Sequence, residues 1–409
     1  MGPFDIDRFF YSGDGISCED ITQYKRYGLH PIILGDVLPK LGSCVGDPAR
    51  KPRYRIAQKI GWGGFSTVWL ARDLEEQRYV ALKACVGTEK PLESNEVRIL
   101  KMLQQKEKGQ PGRENIIELY DAFIIQGPNG FHDIIITELV MPLYGYGCTG
   151  FLPKVAARQL MTGFSYLHEQ GVIHGDPHSG NLGIAIPELQ QFDEEDIADN
   201  IGGPSITAVV PHDPHFPRDT TPPYIADVED IVRFLETKKA LPPQETSVFK
   251  ILDFGQAYLE HELVKEAPVC VPSGSRPPEV IVHFMSEGKA GSFWSKESEI
   301  WTVGCMAASI MGVSLGIGSG LMSGYLEDEL YRALRLGGPP AKDWRAFWDF
   351  EDYRQKKPEL PSLSQEEEWK NLEKDDDDTK AFLGLVQKMV VTEPSERSSL
   401  SSLLSHPFF

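Results

Sequence analysis

The pattern of apolar and polar positions divides the chain into stretches of different kinds. Residues 1 to about 50 carry mixed polarity with Gly and Pro punctuation and no clear period, which predicts an extended arm with little regular structure. From Tyr54 to Ile60 apolar and polar residues alternate, as in a strand with one buried face. A glycine-rich turn, Gly61-Trp62-Gly63-Gly64, leads at once into Phe65-Ser66-Thr67-Val68-Trp69-Leu70-Ala71, whose β-branched and aromatic residues predict the return strand of a hairpin. Tyr79 to Lys83 reads as another strand, and the apolar positions of Leu92 to Leu100 suit a helix. Ile134 to Val140 predicts a buried strand running out into the connector Met141-Pro142-Leu143-Tyr144-Gly145. Val155, Leu160, Phe164 and Leu167 have helical spacing across Lys154 to Gln170, with Gly171 as the stop. Residues 187 to 246 are rich in Pro, Asp and Glu and predict a partly ordered insertion with one short helix near Asp227 to Lys238, a plain linker being the alternative. Strand character returns at Val248 to Leu252.

One apolar stretch has more than one reading. No charged residue occurs from Ile300 to Leu326, which is long enough to cross a bilayer. Its many Gly and Ser residues, its break at Gly316-Ile317-Gly318-Ser319-Gly320 and the lack of a basic flank favour a buried central helix from about Glu297 to about Val313, followed by a Gly-rich loop. The composition is that of a soluble globular protein, 41% hydrophobic and 25% charged, and 409 residues leave room for two lobes. A formal net charge of -19 disfavours a nucleic-acid partner and suits a basic protein. Six cysteines without CxxC spacing argue against a zinc site or a disulfide framework and fit a reducing compartment. The N-terminus lacks the regions of a signal peptide, and Ile6 stands where a myristoylation signal wants Ser or Thr.

Candidate chemistry centres on Val172-Ile173-His174-Gly175-Asp176-Pro177-His178-Ser179-Gly180-Asn181. A carboxylate followed five residues later by a carboxamide suits phosphoryl transfer: the carboxylate takes or orients a hydroxyl proton, and the amide oxygen ligates magnesium. Alone, the motif is also compatible with an ordinary turn. Spacing elsewhere favours the chemical reading. Glycines let backbone amides approach phosphate oxygens, Lys83 follows as a point charge, and Glu96 lies thirteen residues on in the predicted helix to pair with it. The strand at Val248 ends in Asp253-Phe254-Gly255, whose Asp253 supplies the second carboxylate that a magnesium pair requires. Glu279 and Arg397 are either a buried ion pair or two surface charges.

Taken in order, the Gly-rich loop, Ala81-Leu82-Lys83, Glu96, Asp176 with Asn181, Asp253-Phe254-Gly255, Pro278-Glu279 and Arg397 resemble a eukaryotic protein kinase from about residue 54 to the last residue. The flap Gly61 to Leu70, the lead-in Glu19-Asp20, Tyr24, Gly28 to Ile32 and Gly35-Asp36, and the position of the insertion resemble the SR-protein kinases, as a divergent fungal-type member. That resemblance implies an α+β, bilobal protein kinase-like fold: an extension at 1–50, a small and mainly antiparallel β N-lobe with one key helix at 51–140, and a larger, mainly helical C-lobe at 141–409 containing the insertion. It implies a non-specific serine/threonine protein kinase using ATP and Mg2+ on a protein substrate, basic or Arg/Ser-rich, as in splicing proteins. Asp176 would be the base. Lys83, held by Glu96, would hold phosphates within a site bounded by Ile60, Gly61, Trp62, Gly63, Gly64, Val68 and Ala81. Backbone groups of Glu138 and Val140 would read the adenine, with Asn181 and Asp253 as metal ligands. It further implies a monomer with no membrane partner, in the cytoplasm, with nuclear entry open because no strong basic run is present.

Departures qualify the carry-over. Gly175 stands where most kinases have Arg, which implies no obligatory activation-loop phosphorylation. His178 replaces a lysine, a loss of fixed charge worth on the order of 10²-fold in rate unless His178 or another cation substitutes. Gly183 implies a roomier adenine floor, and Glu299 replaces an Asp whose capping of the loop one extra methylene still permits. In a segment resembling the docking groove, Asp328 is kept but Arg335 would repel an Arg-rich peptide. The acidic run Asp375 to Asp378 is either a lure for basic peptides or a solvated loop. A pseudokinase scaffold and a small-molecule phosphotransferase with an aminoglycoside-kinase-like H-G-D loop are the alternatives.

Overall fold

The computed structural model describes residues 8–11, 13–107, 109–143, 152–201, 205–216, 218–262, 273–316, 326–341, 344, 364–373 and 376–409. In chain order these form β1 (Val37–Leu38), β2 (Tyr54–Gly63), β3 (Ser66–Asp73), β4 (Arg78–Cys85), α1 (Asn95–Gln104), β5 (Leu119–Gly127), β6 (Gly130–Thr137), β7 (Val140–Pro142), α2 (Pro153–Glu169), β8 (Val172–Ile173) and β9 (Leu182–Ala185). They continue with α3 (Glu194–Ile201), β10 (Ile206–Ala208), β11 (Tyr224–Ala226), α4 (Ile231–Thr237), β12 (Phe249–Ile251), β13 (Tyr258–Leu259), α5 (Pro278–Met285), α6 (Lys296–Ile310), α7 (Leu326–Gly337), α8 (Gln365–Leu372), α9 (Asp377–Val386) and α10 (Leu400–Leu403). The chain divides into two compact units, one of Met1–Gln104, Ile117–Met141 and Ile184–Pro243, the other of Gln105–Ile116, Pro142–Gly183 and Gln244–Phe409.

The first unit is built on an antiparallel sheet of order β1-β2-β3-β4-β6-β5. Alternate residues of its strands, including Tyr54 and Ile56, Trp69 and Ala71, Val80 and Leu82, and Ile134 and Ile136, bury one face in a common core. Each such large side chain contributes about 1.5–3 kcal/mol on burial. The predicted strands and the helix after Leu92 thus form, because period-two and helical patterns each bury one face, except that the strand read over Ile134 to Val140 ends at Thr137 and Val140 opens the separate β7.

Two segments depart from the sequence reading. The arm is largely irregular, yet it supplies β1 and buries Cys18, Ile21, Tyr24 and Leu29 in a cluster with Ile225. Its apolar residues follow an irregular backbone, so no period marked them. The insertion, assigned from sequence to the larger lobe, groups instead with the first unit. The side chain of Gln190 bonds both the N–H and the carbonyl of Tyr79 at 2.7 and 2.9 Å, Arg55 pairs with Glu194, and the Leu34 N–H donates to Tyr224 Oη at 2.9 Å. A buried ion pair joins arm and insertion to β2: Lys59 Nζ binds Glu19 and donates to the Ala226 carbonyl at 3.1 Å, while Tyr24 Oη donates to Glu19 at 2.5 Å. The short helix expected near Asp227 is α4, whose first turn is capped by Asp230 accepting from the Arg233 N–H at 3.0 Å.

In the second unit α2 and α6 carry buried faces that include Leu160, Phe164 and Leu167 on the former, and Ile300, Trp301 and Val303 on the latter. The charge-free stretch is thus the expected buried helix as far as Ile310. Residues 317–325, where its Gly-rich loop was expected, lie outside the described residues. Among the described residues no helix is long and apolar enough to cross a membrane. Arg397 and Glu279 form a bidentate pair at 2.7 Å, with side chains 0% and 1% exposed, and Ser298 Oγ donates to Glu279 at 2.8 Å. The alternative of two surface charges is therefore excluded. Removing one partner of such a pair strands a buried charge, at a cost of about 3–5 kcal/mol.

Candidate active site

In the first unit β2 and β3 form the expected hairpin, pairing Gly61 with Val68, Trp62 with Thr67 and Gly63 with Ser66. Ile60 lies on β2 just before it, Gly64 turns the chain, and Phe65 is exposed at the tip. A Cβ built on Gly63 or Gly64 meets nothing within 4 Å among the described residues, and neither glycine has a positive φ. The fold therefore does not require glycine at these two positions. What their bareness does provide is unobstructed access to backbone amides, the geometry that suits phosphate oxygens. Val68 registers with Lys83, and Ala81 with Thr137, so adjacent strands set these residues side by side. Lys83 Nζ donates to Glu96 Oε2 at 2.7 Å, with Glu96 buried in the first turn of α1. The Glu138 carbonyl accepts Thr137 Oγ1 at 3.1 Å, while its N–H donates to the Glu118 carbonyl. Val140 begins β7. The connector beyond Leu143 lies outside the described residues.

In the second unit the loop after β8 is held from three sides. His174 is fully buried; its Nε2 bonds the Leu252 carbonyl at 2.9 Å, and its Nδ1 accepts the Asp176 N–H at 3.3 Å. Those two contacts fit an N–H on Nε2, facing the Leu252 carbonyl, and an acceptor at Nδ1. Gly175 has φ +82°, and a Cβ there would lie 2.3 Å from the Gln256 carbonyl oxygen, so the usual arginine would not fit this backbone. The Gly175 N–H donates to Glu299 Oε1 at 2.8 Å, while Glu299 Oε2 lies 2.9 Å from His168 Nε2 and Trp294 Nε1 donates to Oε1 at 3.3 Å. Glu299 thus caps the loop with its longer side chain.

Within this frame Asp176 Oδ1 is buried and has no hydrogen-bond partner among the described residues, while Oδ2 lies 3.7 Å from His178 Nε2. Asn181 is buried and its Nδ2 donates to the Asp176 carbonyl at 3.0 Å, which leaves Oδ1 as the atom able to ligate a cation. The Leu252 N–H donates to the Asn181 carbonyl at 2.9 Å, tying the segment before Asp253 to the same loop. Asp253 is an exposed non-glycine residue at φ +58°, a conformation costing about 1–2 kcal/mol. The next residue, Phe254, is fully buried against His174, ring centroids 5.0 Å apart, and anchors that turn.

The donor set fits magnesium, which takes one or two carboxylate or carbonyl oxygens from protein and the rest from phosphates and water. Among the described residues no group of three or more His, Cys, Asp or Glu could hold a metal unaided. Sequence reasoning missed His174, His168 and Trp294, whose roles depend on partners 78, 131 and 5 residues away. The expectation about activation-loop phosphorylation falls largely on residues 263–272, outside the described residues. Arg335 does not stand as an open cation, because Glu368 pairs with it in a bidentate contact, one arm at 2.8 Å.

No family model matches the chain. Protein kinase dsk1 of Schizosaccharomyces pombe is 32% identical over 201 residues, 46% of this chain and 34% of that protein. SRSF protein kinase 3 of Homo sapiens is 31% identical over 179 residues, 41% of this chain and 30% of that protein. The match spans about a third of the length of each of these two relatives. A serine/threonine protein kinase of Aspergillus fumigatus is 26% identical over 408 residues, covering 95% of this chain and 90% of that one. A crystal structure of a kinase domain superposes with a TM-score of 0.56 at 18% identity, covering 90% of this chain and 97% of its own. The chain has the bilobal protein-kinase fold, and its sequence similarity is to the SR-protein kinases and to a fungal serine/threonine kinase.

Proposed function

We propose that this chain is an ATP- and magnesium-dependent serine/threonine protein kinase of the SR-protein kinase type. The observation that carries the reading is the buried, unpartnered Asp176 Oδ1, held beside Asn181 in a loop whose backbone is fixed by Glu299 and His174. Lys83, oriented by Glu96, and the amides of the glycine flap hold nucleotide phosphates. Asn181 Oδ1 and the Asp253 carboxylate are the side chains that would hold magnesium, which when bound neutralises charge on the phosphate oxygens. Asp176 Oδ1 takes or orients the proton of the incoming serine or threonine hydroxyl. The hydroxyl oxygen bonds to the terminal phosphorus as the bridging P–O bond breaks, and that bond's electrons leave with the diphosphate.

The substrate side of the reading is a basic, Arg/Ser-rich protein. It is supported by the net charge of -19, by relatives whose names include SRSF protein kinase, and by the pairing of Arg335 with Glu368, which removes the repulsion expected from sequence. The buried Glu279–Arg397 pair, which matches the protein-kinase pattern, weighs against the small-molecule alternative.

Asp253→Ala tests the metal assignment. It should abolish phosphate transfer and weaken magnesium-nucleotide binding about tenfold or more in calorimetric titration, with the fold retained by circular dichroism. Normal turnover by this variant would remove the assignment.

A further inference from the structure

The side chain of His178 has a definite orientation. Its Nδ1 accepts the Gly180 N–H at 3.0 Å, capping the short turn Ser179–Asn181, so the ring proton resides on Nε2. Nε2 in turn faces Asp176 Oδ2 at 3.7 Å. Gly180 is matched to this ring: a Cβ at residue 180 would lie 2.8 Å from His178 Cε1 and 2.9 Å from Nδ1. No positive φ requires glycine there, so the close neighbour that a Cβ would meet is the imidazole ring. The two oxygens of Asp176 are thereby distinguished, Oδ2 facing an N–H and Oδ1 buried without a partner.

We infer that His178 is a positioning residue that directs its Nε2–H toward Asp176 Oδ2, turning Oδ1 toward the hydroxyl to be phosphorylated. The inference rests on the functional reading above and deepens it. The cation sought at this position is not needed for this role, because an uncharged N–H orients a carboxylate by hydrogen bonding. Apo contacts of this kind commonly shorten when substrate is bound.

The test compares the full-length wild type with His178→Ala, His178→Gln, Gly180→Ala and the double variant His178→Ala/Gly180→Ala. Steady-state transfer from Mg-ATP to an Arg/Ser-repeat peptide is read alongside nitrogen-15 NMR of the labelled histidine rings. His178→Ala should lower kcat about 10- to 100-fold with KM for ATP changed less than about twofold. His178→Gln, which keeps an amide N–H near the place of Nε2, should recover most of that loss. Gly180→Ala should lower kcat similarly and release the Nε2–H tautomer, and the double variant should be no worse than His178→Ala. An active wild type with wild-type kcat in His178→Ala, multiplicative losses in the double variant, or a ring proton on Nδ1 would each overturn the positioning role alone. A wild type with the Nε2–H tautomer but no transfer to any protein acceptor would overturn the functional reading on which it rests.

Discussion

At the scale of single residues, the departures from the kinase pattern have local physical causes. Gly175 replaces an arginine because this loop turns through a left-handed conformation against the Gln256 carbonyl, where any Cβ would collide. Gly175→Ala should shift the loop and lower transfer about 10²-fold, since displacement of about 1 Å at a reacting centre has that effect. Kinetics with a parallel melting curve check it, and unchanged turnover would contradict the geometry. Glu299 was legible as a cap from its place two residues before Trp301, and it does receive the Gly175 N–H. His174 was not legible as a brace, because its partner carbonyl belongs to Leu252 and nothing local in the sequence joins the two.

Among elements, those with a strict period were readable and those anchored at long range were not. β2 and α2 follow from alternation and helical spacing, β3 from its β-branched and aromatic residues, and α6 from its charge-free run, to within a few residues. The arm's attachment escaped notice because it depends on isolated side chains such as His30, whose ring fits where Gly127 has no Cβ, 4.6 Å from the ring of His132 on β6. Burial pushes His30 down to about 3, with His132 and Lys40 adding to the effect. Burial also lowers His132, against the pull of the Cys85 carbonyl. Both folded values lie below the unfolded value of about 6.5, so the stability from the neutral rings is present above that pH and is lost as pH falls toward the folded values. The His30 ring then costs about 1.4 kcal/mol per pH unit between about 6.5 and about 3. Denaturant unfolding at pH 7 and pH 5 should show this loss, and His30→Phe should flatten the dependence. Equal slopes in wild type and variant would show that His30 does not contribute.

At the scale of the whole molecule, the residues proposed above for phosphoryl transfer come from separate stretches of the chain, each grouped with its own unit. Lys83, Glu96 and the glycine flap belong to the first, Asp176, Asn181 and Asp253 to the second. The motifs themselves were legible because each is short and their order along the chain is informative. The placement of residues 184–243 was not, since Gln190 and Glu194 find their partners at Tyr79 and Arg55, more than a hundred residues earlier. If Asp176 accepts the proton of a protein hydroxyl during transfer, its loss is read in the incorporation of labelled γ-phosphate from Mg-ATP into an Arg/Ser-repeat peptide and a generic basic protein by the full chain, with Asp176→Asn in parallel. Labelling of serine that falls at least 10²-fold in Asp176→Asn is the predicted result. No labelling of either acceptor by the wild type, or equal labelling by Asp176→Asn, would contradict it.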